Sequence, residues 1–132
     1  MEINAYLGFD GNCEEAFKFY EKLLDAEITF MMTHEQAPVE TPAEWRGKIM
    51  HARLKIGDAM IMGGDNPPGY YHKPAGFSVS IGLKELEKAA AIFAALAQGG
   101  NINMPFQKTF WAEGFGMVTD RFGTPWMIYC GS

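Results

Sequence analysis

The sequence predicts an α+β protein of two modules, each built in the order strand–helix–three strands, or βαβββ. Short segments with alternating apolar residues predict the strands, and one segment with helical spacing in each half predicts a helix. Turn-forming residues separate these segments in both halves. The chain has 132 residues, of which 48% are hydrophobic and 20% charged, which is typical of one globular domain. We therefore expect a single domain with modules at about 1–66 and 74–132.

The first module is predicted from its alternation and its turns. Asn12 is suited to cap a helix in which Phe17 and Tyr20 share an apolar face. Gly57-Asp58 is a hairpin turn between the last two strands. The predicted elements are a strand over 3–10, a helix over 13–24 and strands over 26–33, 48–56 and 59–62.

The second module repeats this order without convincing residue identity to the first. Gly99-Gly100 ends an Ala-rich helix, and Gly123-Thr124-Pro125 turns the chain before the last strand. The predicted elements are a strand over 76–83, a helix over 84–98 and strands over 103–109, 115–120 and 126–130.

Charge and composition exclude several classes of partner. Eleven Lys and Arg stand against 16 Asp and Glu, a formal net charge of −5. An acidic chain without a basic stripe is poorly suited to nucleic acid or to an anionic membrane. No targeting segment and no apolar run of the roughly 20 residues needed to span a bilayer is visible. Two cysteines are too few for a disulfide framework, and we expect a cytoplasmic protein.

Three segments together carry a resemblance to a known superfamily. The first is YLGFDGNCEEAFKFY over 6–20. The second is MHARLKIGD over 50–58, followed by AMIM over 59–62 and by Asp65. The third runs over 111–126, from Trp111 through DRFGTPW. In this order the segments resemble the vicinal-oxygen-chelate superfamily of glyoxalases, bleomycin-resistance proteins and dioxygenases. The resemblance is closest to its PhnB-like branch, also described as 3-demethylubiquinone methyltransferase-like.

The resemblance implies the glyoxalase/bleomycin-resistance fold. In that fold two βαβββ modules form curled mixed sheets around a cleft, with the helices on the convex faces. Members are commonly homodimers, and open curled sheets leave edges and aromatic faces to be covered. We therefore expect a homodimer with a small-molecule ligand as its other partner.

Alternation then assigns the strand faces relative to that cleft. Apolar residues such as Leu7, Leu54 and Ile128 are expected to pack under the helices, together with Met50. The opposite faces supply residues that we expect to bind a small organic molecule in an apolar cleft. These ligand-binding candidates are Asn4, Tyr6, Arg53, Met62, Ser78, Ser80, Trp111, Met127 and Tyr129. The alternative is that the chain's many Met and Phe residues are ordinary core.

The metal site of the superfamily's metal-dependent members does not transfer to this sequence. Those members place His or Glu at four cleft positions, whose side chains suit divalent metals. The corresponding positions here are Asn4 or Ala5, Met62 or Met60, Gly76 or Phe77, and Met127. We therefore expect no metal and no cofactor. No glycine-rich loop suited to S-adenosylmethionine is visible either, which speaks against the methyltransferase description.

His51 is the candidate catalytic residue, as a general acid or base. The alternative is a structural histidine bonded to a neighbouring strand. Arg53 lies on the same strand face and could hold a carboxylate or phosphate, or form a salt bridge to Glu113, Asp120 or Asp65. Trp111 is expected to wall a planar ligand, or else to pack in a core or dimer interface.

Three functions remain open from the sequence. The first is metal-free binding of a small organic molecule, and the second is a metal-independent enzyme that uses His51. The third is a metal-dependent glyoxalase-type lyase or dioxygenase.

Overall fold

The structure, a computed structural model, describes residues 1–131 and divides the chain into two compact units. Unit 1 is Met1–His72, and unit 2 begins at Lys73. Each unit holds one α-helix and one four-stranded sheet. The predicted α+β fold class of two βαβββ modules is confirmed. Within residues 1–131, neither helix has the length and apolar character that crossing a membrane requires.

Unit 1 pairs its strands in the order β1-β4-β3-β2. β1 runs parallel to β4, and the other pairs are antiparallel. Its elements are β1 (Ala5–Phe9), α1 (Cys13–Leu23), β2 (Glu27–Thr33), a short 3-10 helix (Ala43–Trp45), β3 (Ile49–Ile56) and β4 (Ala59–Asp65).

Helix α1 covers one face of this sheet. Phe17 and Tyr20 on the helix are fully buried, as are Phe9 and Leu54 on the strands. A Cβ atom at Gly63 would come within 2.9 Å of the Phe17 ring, so only glycine lets the helix approach this closely. The opposite face of the sheet is not covered by α1, and Tyr6 and Phe30 on it are partly exposed.

The buried carboxylate of Asp65, at the end of β4, binds three separate backbone amides. Its Oδ1 accepts hydrogen bonds from Gly11 N and Cys13 N, both at 2.9 Å. Its Oδ2 accepts one from Ile49 N at 2.8 Å. This carboxylate serves as the N-terminal cap of α1, because Asn12 makes no side-chain capping bond. The single residue thus joins the start of α1, the start of β3 and the end of β4.

Unit 2 has the equivalent strand order, β5-β8-β7-β6, with β5 parallel to β8. Phe93 and Leu96 on its helix and Trp126 and Ile128 on β8 lie in its core. The elements are β5 (Val79–Leu83), α2 (Leu86–Ala97), β6 (Asn101–Gln107), β7 (Gly114–Thr119) and β8 (Pro125–Cys130).

Asp120 of unit 2 is also buried, and it organises the turn between β7 and β8. Its Oδ1 accepts hydrogen bonds from Phe122 N at 2.9 Å and Thr124 N at 3.0 Å, and its Oδ2 accepts one from Trp126 Nε1 at 2.8 Å.

The sequence prediction was wrong in two local details of unit 1. Met50 was expected on the packing face, but a β-bulge lets Ile49 pair with Thr33 and leaves Met50 37% exposed. β4 was expected to end at 62, but it continues to Asp65 through two glycines. These glycines accommodate close neighbours and do not interrupt the strand.

Replacing Asp65 with Asn should lower the free energy of unfolding by about 3 kcal/mol, because an amide NH2 then faces a backbone N–H in a buried site. Asp58→Asn, at an exposed hairpin turn, is the matched control and should change stability by less than about 0.5 kcal/mol. Urea denaturation measures both. Equal small effects would contradict the role of Asp65.

Candidate functional site

The sheet face of unit 1 that points away from α1 carries a row of four paired residues. Tyr6 on β1 pairs with Met62 on β4, and Met62 pairs with Arg53 on β3. Arg53 in turn pairs with Phe30 on β2. Directly paired residues project to the same side of a sheet, so all four side chains lie on one face. We call this the exposed face of unit 1.

His51 lies two residues before Arg53 on this face, and two hydrogen bonds connect it to Arg53 and Tyr6. Arg53 Nε donates to His51 Nε2 over 3.2 Å. His51 Nδ1 lies 3.3 Å from the Tyr6 hydroxyl, which donates to the Met50 carbonyl over 3.4 Å. These bonds form one continuous chain from Arg53 to the β3 backbone.

The guanidinium determines where the proton of the imidazole sits. Arginine only donates hydrogen bonds, so His51 Nε2 must be the acceptor. A neutral ring then carries its hydrogen on Nδ1 and donates it to the Tyr6 oxygen. In this series of hydrogen bonds from Arg53 to Met50, every donor therefore faces an acceptor.

Ring contacts also restrict the side chains of Tyr6, His51 and Arg53. The rings of Tyr6 and His51 are stacked at 5.7 Å with an angle of 17° between them. Phe30 lies 5.7 Å from the His51 ring, and the Arg53 guanidinium carbon lies 5.9 Å from the centre of the Phe30 ring. Tyr6 and Phe30 remain 50% and 44% exposed, so this group has open surface.

Gly64 makes room for the Tyr6 hydroxyl. A Cβ atom there would lie 3.0 Å from that hydroxyl and 2.6 Å from the Met50 carbonyl oxygen. Any larger residue would displace the tyrosine from His51. The Gly63-Gly64 pair was the signal in the sequence for this close approach.

The surroundings shift the pKa values of His51 and Tyr6 in opposite directions. Burial, and then the positive charge of Arg53, lower the pKa of His51 below its ordinary 6.5. Burial, with a smaller contribution from Cys13, raises the pKa of Tyr6 above 10.0. At neutral pH the imidazole and the phenol are thus both uncharged, and Arg53 carries the charge.

A hollow of about 590 Å³ opens beside this group, and three of the predicted ligand-binding candidates, Asn4, Arg53 and Met62, line it. Its lining residues are Glu2, Ile3, Asn4, Arg53, Met60 and Met62. Within residues 1–131, no protein group bonds the terminal nitrogens of Arg53, and no carboxylate forms a salt bridge with it. A separate hollow of about 640 Å³, formed by the segment that connects β2 to β3, is lined by none of the candidates.

Phe30 was not singled out from the sequence. Strand β2 has a bulge between Ile28 and Phe30, which interrupts the alternation by which strand faces are recognised. No simple pattern in this strand indicates that Phe30 shares a face with Arg53.

In unit 2, four of the five candidates lie on or next to the sheet face away from α2. Ser80 pairs with Met127, and Met127 pairs with Met117 on β7. Tyr129 pairs with Phe115 on β7. Ser78 precedes β5 and is half-buried. The methionines form an apolar row beside hydroxyl groups.

Trp111 lies on the loop between β6 and β7 and is 47% exposed, so it is not part of the core of unit 2. Its ring contacts Phe110 at 4.7 Å and Phe115 at 5.7 Å, both edge to face. Thr109 Oγ1 accepts hydrogen bonds from the Trp111 and Ala112 amides and so shapes this loop.

The donor set of the chain does not fit the superfamily's metal centre. Among residues 1–131, no three His, Cys, Asp or Glu side chains come together as potential ligands. Asn4, Met60 and Met62 occupy the corresponding part of unit 1, and neither thioethers nor a neutral amide suit a hard divalent ion.

Cys13 does not supply a nucleophile. The residue is fully buried at the start of α1. Burial, followed by the charges of Asp65 and Glu14, raises the pKa of its thiol far above the ordinary value. The reactive thiolate is therefore suppressed at neutral pH.

Comparison with known proteins identifies relatives over the whole chain. The model of the family described as 3-demethylubiquinone-9 3-methyltransferase matches residues 1–129. Protein YjdN of Escherichia coli strain K12 is 34% identical over 138 residues, which cover 97% of this chain and 94% of that protein.

Solved structures agree with this assignment. Protein PA1353 from Pseudomonas aeruginosa is 44% identical, with a TM-score of 0.92 over 99% of this chain and 98% of that one. A putative 3-demethylubiquinone-9 3-methyltransferase, PhnB protein, from Bacillus cereus is 27% identical, with a TM-score of 0.82 over 99% and 100%. The fosfomycin resistance protein FosX from Listeria monocytogenes shares the fold at 9% identity, with a TM-score of 0.68 over 100% and 94%. The chain therefore belongs to the family described as 3-demethylubiquinone-9 3-methyltransferase, which is the PhnB-like family, and it shares its fold with FosX.

Proposed function

We propose that this protein binds a small organic molecule on the exposed face of unit 1 and that no metal takes part. The observation that supports this is a half-open apolar face with one oriented cation. Met60 and Met62 supply flexible thioether surface, and Arg53 supplies a positive charge whose terminal nitrogens have no protein partner within residues 1–131. Small-molecule sites commonly combine an apolar lining with a few oriented polar groups.

The proposal includes the face of unit 2 that carries Ser80, Met127 and Tyr129. This face has the same chemistry of thioether and aromatic surface with a few hydroxyl groups. Trp111 and Ser78 are proposed as further contacts, Trp111 because an exposed indole ring can cover a planar molecule.

The family's description names a methyltransferase, but the residues of this chain do not support methyl transfer from S-adenosylmethionine. Nucleotide-type cofactors are commonly held at a helix N-terminus that follows a parallel strand. Here α1 follows the parallel strand β1, but the amides of Gly11 and Cys13 at that turn are bound by Asp65. The protein's own carboxylate fills the position that a phosphate or carboxylate of a ligand would take.

A metal-independent enzyme is the second candidate, and the lowered pKa of His51 favours it. A neutral imidazole at physiological pH can accept a proton. Its Nε2 becomes available only when Arg53 turns away, for example toward a bound anion. His51 is then the base, Tyr6 Oη holds its Nδ1–H, and turnover would be lost in His51→Ala.

We also propose that the protein is a cytoplasmic homodimer. Ile102 and Met104 on the edge strand β6 are 50% and 42% exposed, which is apolar surface that a second copy would cover. Sedimentation at micromolar concentration should give the dimer mass, and a monomer there would contradict this.

The methionine methyl groups can report binding to the two faces separately. In protein labelled with ¹³C at the methionine methyls, indole or benzoate should shift the signals of Met60 and Met62. Met62→Glu should weaken this binding about tenfold or more, because the new carboxylate replaces apolar thioether surface and stands opposite Arg53, whose charge it can pair with. Lys22→Glu, exposed on α1, is the control and should leave binding unchanged. Shifts with S-adenosylmethionine alone would overturn the proposal.

The pKa of His51, followed by NMR of the imidazole signals, should lie below 6.5, and Arg53→Gln should raise it by removing the nearby positive charge. Lys55→Gln, two residues further along β3, should raise it less. Because the folded pKa is the lower one, the unfolded chain binds the proton first, and stability falls as pH drops below about 6.5. A pKa above 6.5, or no response to Arg53→Gln, would contradict the described hydrogen bond.

A further inference from the structure

We propose that the ligand of the exposed face of unit 1 is an organic monocarboxylate whose anionic oxygens bind the terminal nitrogens of Arg53. This inference rests on the proposed function and names the class of molecule. It follows from the orientation of one guanidinium, the charges around it and the surface beside it.

The hydrogen bond from Arg53 Nε to His51 leaves the other end of the guanidinium available. That end presents one N–H from each terminal nitrogen in parallel, which matches the two oxygens of a carboxylate. The Phe30 ring, 5.9 Å from the guanidinium carbon, and the bond to His51 restrict the side chain before a ligand arrives. Less conformational entropy is therefore lost on binding.

The charges around Arg53 favour a monoanion over a dianion. His51 is neutral at physiological pH, so it adds no positive charge to that of Arg53. Glu2 lines the same hollow and opposes a second negative charge. Lys55, on the same face, is opposite Glu27 across the β2–β3 pair, so the two charges offset each other. The chain as a whole carries a formal charge of −5, which further disfavours a highly charged anion.

The surface beside Arg53 determines the rest of the molecule. Ile3, Met60 and Met62 offer apolar contact in a hollow of about 590 Å³, within the range of small-molecule sites. Asn4 is the neutral polar residue there and can bond a substituent. An apolar or aromatic body with one carboxylate fits this arrangement.

Three probes of matched shape distinguish the possibilities: benzoate, its neutral analogue benzamide, and phenylphosphonate as a dianion above neutral pH. Binding is followed on the methyl signals of Met60 and Met62. Benzoate should bind about tenfold or more tightly than either of the others. Benzamide carries no charge to pair with Arg53, and phenylphosphonate brings a second negative charge into the hollow that Glu2 lines. Arg53→Gln should abolish the preference, and Lys22→Gln on α1 should preserve it.

Each other outcome overturns the inference in a different way. Equal binding of benzamide and benzoate at Met60 and Met62 would reject the carboxylate and leave the proposed function standing. Tightest binding of phenylphosphonate would assign a dianion instead. Benzoate preference that persists in Arg53→Gln would remove Arg53 from the site. No shift of Met60 or Met62 with any probe would reject the proposed function together with the inference.

Discussion

The architecture of unit 1 depends on one buried carboxylate. Asp65 ends β4 and accepts hydrogen bonds from the amides of Gly11, Cys13 and Ile49, which belong to the β1–α1 turn, the start of α1 and the start of β3. A buried charge is tolerated only when it is bonded in this way. Lys48 adds a hydrogen bond from Nζ to the Gly11 carbonyl at 3.0 Å and so supports the same turn. Asp65 thereby holds the ends of β1, β3 and β4 and the start of α1 in fixed relative positions. The pairing of these strands determines which side chains lie on the exposed face.

The candidate site follows from this strand pairing. Tyr6, His51 and Arg53 come from two strands that are not neighbours, β1 and β3, with β4 between them. Gly64 on β4 carries no side chain, so the tyrosine hydroxyl can reach across to the imidazole. The result is a cation that His51 and Phe30 orient beside a flexible thioether surface. Rigid polar groups confer specificity for one end of a ligand, whereas methionines adapt to the rest of it.

Much of this could be predicted from the sequence, for physical reasons. Alternation identified the strands and placed Tyr6, His51 and Arg53 on faces away from the helix, because a strand buries every second residue. The bulges at Met50 and before Phe30 could not be predicted, since they depend on pairing between strands far apart in the sequence. The capping role of Asp65 was missed for the same reason, because Asn12 satisfies the local rule and Asp65 lies 52 residues from Cys13. Arg53 was considered as a salt-bridge partner of Asp65, but that carboxylate binds backbone amides and Arg53 bonds His51.

Native mass spectrometry of protein purified without chelator shows whether the protein binds an organic ligand and whether it binds a metal. We expect a small organic mass bound to the wild-type protein, absent from Met62→Glu and retained in Lys22→Glu. A stoichiometric divalent metal in the wild-type protein, with no organic mass bound, would contradict this expectation. The metal would then need ligands other than a cluster of three His, Cys, Asp or Glu side chains, since residues 1–131 form no such cluster.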